Sequence, residues 1–274
     1  MITALLLIPT SLSFILNPFT YDVHAYQAVA RLTDSFGTFP GSLDTAWEIK
    51  PIGNRFINYA LYKAASAITP FGSVEYEILI KCICLALVLI IAYIFARNYK
   101  EQPYLFLLTA LAFLTPLNPV QLQPEWFAVL FALLAIALML SDKWYLQAGA
   151  GAVITGIFLL KGITILLVIP ILWAVWLEKG RDWFPRAVIA GEASVLTLAA
   201  IIGSGYFPNL IPDMLMSGRL AHVGMWSPAQ VFGNLIFGFI SSMAVFYIPV
   251  LAVGLPVLCV ACWQRLESRS EERF

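Results

Sequence analysis

The sequence predicts an all-α, polytopic transmembrane helical bundle, and three observations carry that prediction. Hydrophobic residues make up 61% of the 274 positions and charged residues only 12%, with a mean hydropathy of +0.85; a soluble domain carries roughly twice that share of charge. Apolar runs approach the ~18–20 residues that cross a bilayer as helix, and they recur along the chain. Charged residues gather between these runs rather than within them. The whole chain, 1–274, therefore reads as a single integral membrane domain with about eight spans.

The runs fall at 2–16, 76–96, 103–118, 125–141, 145–160, 162–177, 187–206 and 231–262. The first contains Pro9 but has neither a basic flank nor a small-x-small cleavage site, so an anchor is expected rather than a cleaved signal. Residues 17–70 form the first extracytoplasmic loop. Within it, Ala25, Val29 and Leu32 alternate with polar groups as in a short helix lying on the membrane surface. The stretch from Phe36 to Gly41 breaks that helix. A second interfacial helix is expected from Pro51, which suits a first helical turn, through Asn54, Arg55, Phe56, Ile57, Asn58 and Tyr59, ending at Thr69, Pro70, Phe71 and Gly72. The last run carries Pro249 and Pro256 and reads as one kinked helix or two short ones. All four cysteines (Cys82, Cys84, Cys259, Cys262) sit in apolar runs, where a small thiol packs as a hydrophobe.

Sixteen basic and 16 acidic residues balance, which offers nucleic acid nothing to bind. With the N-terminus cytoplasmic, the short inner segments hold Arg97, Lys100, Lys143, Lys179, Arg181, Arg186, Arg265, Arg269 and Arg273. The remaining basic residues are spread over longer outer segments or helix ends, so the positive-inside rule favours this orientation.

Ionisable groups at the mouth of a hydrophobic span are functional candidates. Asp22, Lys50, Glu125 and Lys161 all fall at the extracytoplasmic face although they are far apart in sequence. Glu125 follows Pro124 and so lies in a first helical turn, where the macrodipole favours a carboxylate; Lys161 precedes Gly162 at a helix end, where it favours a cation. Asp22 and Tyr26 are i, i+4 and share a face, whereas His24 diverges from Asp22. Arg55 lies in the second interfacial helix. Arg219 stands with His222 and Trp226 in the outer segment 205–230, a cation and ring suited to a lipid phosphate. Lys81 is expected to snorkel outward, and Glu192 to pair with Arg186 or an inner-surface group. No set of residues has the spacing of a metal site around His24.

The order of these features resembles the GT-C fold glycosyltransferases, which use polyprenyl-phosphate sugars. An acidic residue, Asp22, follows the first span, and a Lys50-Pro51-led helix ends near Phe71-Gly72. Thr115-Pro116-Leu117 and Gln123-Pro124-Glu125 are similar to the family's second acidic loop. Ala148-Gly149 through Gly156, then Leu160-Lys161-Gly162, resembles its glycine-rich helix and Lys-Gly hairpin. The resemblance covers roughly 1–180. It departs at Ile52, where bacterial members commonly carry a second Pro, and no soluble domain follows the last span within 1–274, as expected of a minimal member, a fragment or a relative that kept the fold and lost the activity.

The resemblance implies transfer of a sugar from a polyprenyl-phosphate donor to an extracytoplasmic acceptor hydroxyl, at a multi-pass cell-membrane protein, with lipids as partners and no cofactor, a divalent metal being left open. Such a transfer needs a base for the acceptor and positive charge for the departing phosphate. Asp22 is the expected base, and Glu125 either orients the acceptor or donor or acts on Asp22 through like-charge proximity; Lys50, Arg55, Lys161, Arg219, His24 and Tyr26 are the expected substrate and phosphate contacts. Inversion by single displacement is the simplest mechanism with that set. A membrane carrier with Glu125, Lys161 and Glu192 along its path is the competing reading, and a non-catalytic member of the same fold a third.

Overall fold

The computed structural model describes residues 2–37, 52–99, 103–114, 121–160 and 162–204, all within one compact unit, Met1–Arg219. The described residues are helical apart from a few turn positions. Arg219, His222, Trp226 and the run 231–262 lie outside the described residues, as do Lys50 and Lys161.

The chain starts with α1 (Ile2–Leu16) and turns into α2 (Tyr21–Ser35). Because α2 starts at Tyr21, Asp22 lies in its first turn. Next comes α3 (Ile52–Ser66), whose start matches the Pro51 signal. The long helix α4 (Val74–Asn98) opens on Ser73, whose Oγ accepts the Tyr76 N–H at 3.1 Å and satisfies one of the orphan donors of the first turn. After α5 (Pro103–Leu114), α6 (Pro124–Met139) begins on a proline at a position where no N–H is needed. The next helix is α7 (Trp144–Leu160). The run predicted as one helix from 162 instead starts as a 3-10 segment, Gly162–Leu167, and becomes α8 only over Val168–Lys179. Pro170 accounts for this, since it lacks an N–H and its ring crowds the carbonyl four residues back, which tightens the preceding turn. Gly180, at φ 57°, then reverses the chain into α9 (Trp183–Gly203).

Two stretches, Val74–Asn98 with 25 residues and Thr164–Gly203 with 40, are long and apolar enough to cross a membrane. The second is a hairpin of α8 and α9, because the left-handed Gly180 interrupts it. Trp173, Trp176, Phe184, Val195 and Leu196 are exposed on α8 and α9, a surface that favours hydrocarbon over water.

Packing fixes the direction of each helix. Phe14 at the end of α1 stacks on Trp126 at the start of α6, with ring centroids 6.3 Å apart. The Trp126 indole donates to the Phe113 carbonyl at the end of α5 at 3.2 Å. At the far end of α6, Arg186 of α9 donates to the Met139 carbonyl at 3.0 Å and to Asp142 at 2.6 Å, while Lys179 at the end of α8 reaches Asp142 at 3.3 Å. A cation on the last carbonyls of a helix is where its macrodipole favours one. Arg186 is thus occupied by Asp142 and backbone oxygens. The expected pairing with Glu192 is corrected, and Glu192 is exposed on α9.

α7 and α9 approach most closely. A Cβ on Gly151 would collide with the Ala190 carbonyl oxygen, and Thr155 Oγ1 lies 3.0 Å from the Ser194 carbonyl. Small residues let two backbones touch and expose polar groups to each other, the packing favoured in a lipid environment.

Candidate functional site

Asp22 stands exposed at the start of α2, and the Gln123 side chain donates to its Oδ2 at 3.4 Å across 101 positions of sequence. Gln123 is the N-cap of α6, and Glu125, half-buried, is in the first turn of that helix. The acidic residue after α1 and the Gln-Pro-Glu start of α6 therefore meet at one mouth of the bundle. The backbone that delivers Gln123 is strained: Leu122 has φ 63° and is buried. A non-glycine residue in that conformation costs about 1–3 kcal/mol, and such strain concentrates at functional sites.

One helical turn beyond Asp22, Tyr26 is buried and lines a cavity of about 20 Å³ between α2 and α3, together with Val29, Thr33, Asn54, Arg55 and Asn58. The space suits about one water. Arg55, 8% exposed, brings a guanidinium to this wall. Below it runs a buried polar chain. Tyr76 Oη donates to Gln27 Oε1 at 2.7 Å, Gln27 Nε2 donates to Asn58 Oδ1 at 2.8 Å, and Asn58 Nδ2 donates to the Asn54 carbonyl at 2.9 Å. Fully paired polar chains of this kind lock helices in one register. α2, α3 and α4 are locked in this way, and the face bearing Asp22 and Tyr26 is fixed with them.

A second tie holds the C-terminal parts of α2 and α3. The Lys63 ammonium lies 2.9 Å from Asp34 Oδ1, to which Tyr59 Oη also donates at 3.1 Å. Lys63 and then Tyr59 hold the Asp34 carboxyl below its ordinary range, burial opposing them, and Asp34 in turn raises Lys63. Arg31 lies over the Phe71 ring at 4.8 Å, so the turn after α3 closes against α2.

His24 points away from Asp22, as its spacing predicts. Its Nε2 is 3.6 Å from Glu77 Oε1, and its ring meets Phe19 edge-on at 5.4 Å. Lys81 differs from expectation. Instead of snorkelling it is 2% exposed, its Nζ 5.5 Å from the Phe19 ring and 6.0 Å from that of Phe14. Two aromatic faces take the place of water for this cation.

Lys50 and Lys161 lie outside the described residues, yet the helices that lead to them touch. A Cβ on Gly53, at the start of α3, would lie 2.7 Å from the Leu159 carbonyl oxygen at the end of α7. Among the described residues no group of three His, Cys, Asp or Glu could hold a metal ion. Glu77 and the buried Gln27, Asn58, Tyr76 chain were not legible in the sequence. Gln123 stood out only as part of the Gln123-Pro124-Glu125 stretch, where the Pro that follows it marks an N-cap, and not as the partner of Asp22.

Protein-family models, curated proteins and solved structures yield no match to this chain.

Proposed function

We propose that the chain is a multi-pass glycosyltransferase of the cell membrane, transferring a sugar from a polyprenyl-phosphate donor to an acceptor hydroxyl at the extracytoplasmic face, with inversion. The meeting of Asp22 with Gln123 and the first turn of α6 carries this reading. Two carboxylates and a neutral donor stand together there at the end of an apolar bundle, which supports a site that a lipid-borne group and a water-borne hydroxyl can both reach. Arg97, Lys143, Lys179, Arg181 and Arg186 belong to the opposite end, which supports the orientation with Asp22 outside.

In the proposed step, a lone pair of the acceptor oxygen forms a bond to the anomeric carbon as the bond from that carbon to the phosphate oxygen breaks. The departing pair stays on the phosphate, and the acceptor proton passes to the Asp22 carboxylate. A phosphate ester leaves without protonation, so no general acid is needed. Its growing charge calls for cations, and Lys50, Lys161, Arg55 and Arg219 are assigned to it. Glu125, held at a helix N-terminus that favours its charge by about 0.3–1 kcal/mol, orients sugar or acceptor hydroxyls with Gln123. Tyr26 borders this site from the α2–α3 cavity, and His24, turned toward Glu77, supports the α1–α2 turn rather than a substrate.

The test is transfer by the purified chain in lipid from a panel of radiolabelled polyprenyl-phosphate sugars. Label should move to an acceptor from at least one donor, with the opposite anomeric configuration in the product. Retained configuration contradicts single displacement, and no transfer from any donor contradicts the activity.

A further inference from the structure

Glu77, in the first turn of α4, is drawn into the α1–α2 turn rather than into solvent. Its Oε2 accepts the Phe19 backbone N–H at 3.2 Å and its Oε1 faces His24 at 3.6 Å. Phe19 is buried between these groups, with its ring against His24 on one side and toward the Lys81 ammonium on the other. Lys81 is one helical turn along α4 from Glu77 and finds no hydrogen-bond acceptor among the described residues, so its charge is spent on the rings that cap it. Phe19 and His24 flank Asp22 in sequence. Anything that fixes them fixes the first turn of α2.

We propose that Glu77 is the positioning residue of the site: its carboxylate grips Phe19 and His24 and so sets the rotation of α2 that presents Asp22 to Gln123. Successive residues of a helix point about 100° apart, so a small rotation of the first turn would swing Asp22 away from α6. A hydrogen bond from a backbone N–H to an ionised carboxylate is among the stronger kinds. It reaches this turn where α2 has no side-chain cap of its own. This inference rests on Asp22 acting as the base, but its first readout does not depend on turnover.

Two conservative variants separate grip from charge. Glu77→Gln keeps an acceptor oxygen at the same reach, and Glu77→Asp keeps the charge but withdraws it by one methylene. In a full-length background without the native cysteines, Asp22→Cys and Gln123→Cys are bridged with a short bifunctional thiosulfonate reagent. The bridging rate should fall about tenfold in Glu77→Asp and stay within about twofold in Glu77→Gln, on the scale of a ~1 Å misplacement. With Asp22 intact, Glu77→Asp should lower kcat about 10²-fold while the donor KM changes little. Native bridging in Glu77→Asp, or an equal loss in Glu77→Gln, overturns the positioning role. A native chain that transfers no sugar overturns the glycosyltransfer reading instead, and the bridging rates still decide the role of Glu77.

Discussion

Asp22 is exposed and Gln123 is half-buried, and a single hydrogen bond of 3.4 Å joins them across the bundle mouth. Asp22 was readable from the sequence because a charge directly after an apolar run stands out. The pairing with Gln123 was not, since an uncharged residue in a turn does not announce which group it will meet. Burial by long-range rings is equally silent, which is why Lys81 departs from its expected outward path. For the donor phosphate, Lys50→Met and Lys161→Met remove charge while keeping length and apolar stem. Each should weaken binding of a polyprenyl-phosphate sugar by about 10- to 150-fold, the 1.5–3 kcal/mol of a charged hydrogen bond. Native affinity in both, read by calorimetry or competition, would pass the role to Arg55 and Arg219.

The Asp34–Lys63 pair makes a pH prediction at the same scale. A carboxyl depressed in the folded state adds stability above its unfolded pKa, about 3.9, and loses it as pH falls through the lower folded value. A raised lysine adds stability below about 10.4 and loses it as pH rises through the higher folded value. Together they strengthen the α2–α3 contact between about pH 4 and 10. Asp34→Asn should therefore melt below the native chain at pH 7, with the gap closing as pH falls through the depressed folded value. A gap that persists there would assign the effect to packing instead of charge.

Among the elements, helix starts were legible where a residue carries the signal by itself: Pro51 ahead of α3, and Pro124 at α6. The late start of α8 was not, because Pro170 acts on the turn before it while hydropathy runs on unchanged. Nor was the partner of each helix, since an apolar run looks the same whether it faces lipid or a neighbour. Two glycines reveal partners that hydropathy hides. Gly53→Ala would press a methyl onto the Leu159 backbone, and Gly151→Ala onto the Ala190 carbonyl. Neither backbone can yield as a side-chain tip would, so each should cost about 1–3 kcal/mol, read as a lower melting temperature in detergent. Of the two, Gly53→Ala should also lower activity in lipid, because it parts the α3 and α7 ends that lead to Lys50 and Lys161. Equal stability to the native chain would mean that these helices do not meet.

For the whole molecule, two charged ends mark the described helices, with Asp22, Gln123 and Glu125 at one and Asp142, Lys179 and Arg186 at the other. The all-helical class was legible because composition alone requires it; the juxtaposition of the ends was not, because it depends on which helices pack. Single cysteines at Thr38→Cys and Ser141→Cys should label from opposite sides with an impermeant thiol reagent, position 38 from outside. The reverse pattern would place Asp22 in the cytoplasm and away from an extracytoplasmic acceptor. The account turns on Asp22 taking a proton during sugar transfer. The most direct measurement is single turnover of native and Asp22→Asn chains in lipid nanodiscs loaded with a radiolabelled polyprenyl-phosphate sugar. The account predicts equal donor binding and a transfer rate about 10²–10⁴-fold lower in Asp22→Asn; native transfer by a folded, donor-binding Asp22→Asn chain would contradict it.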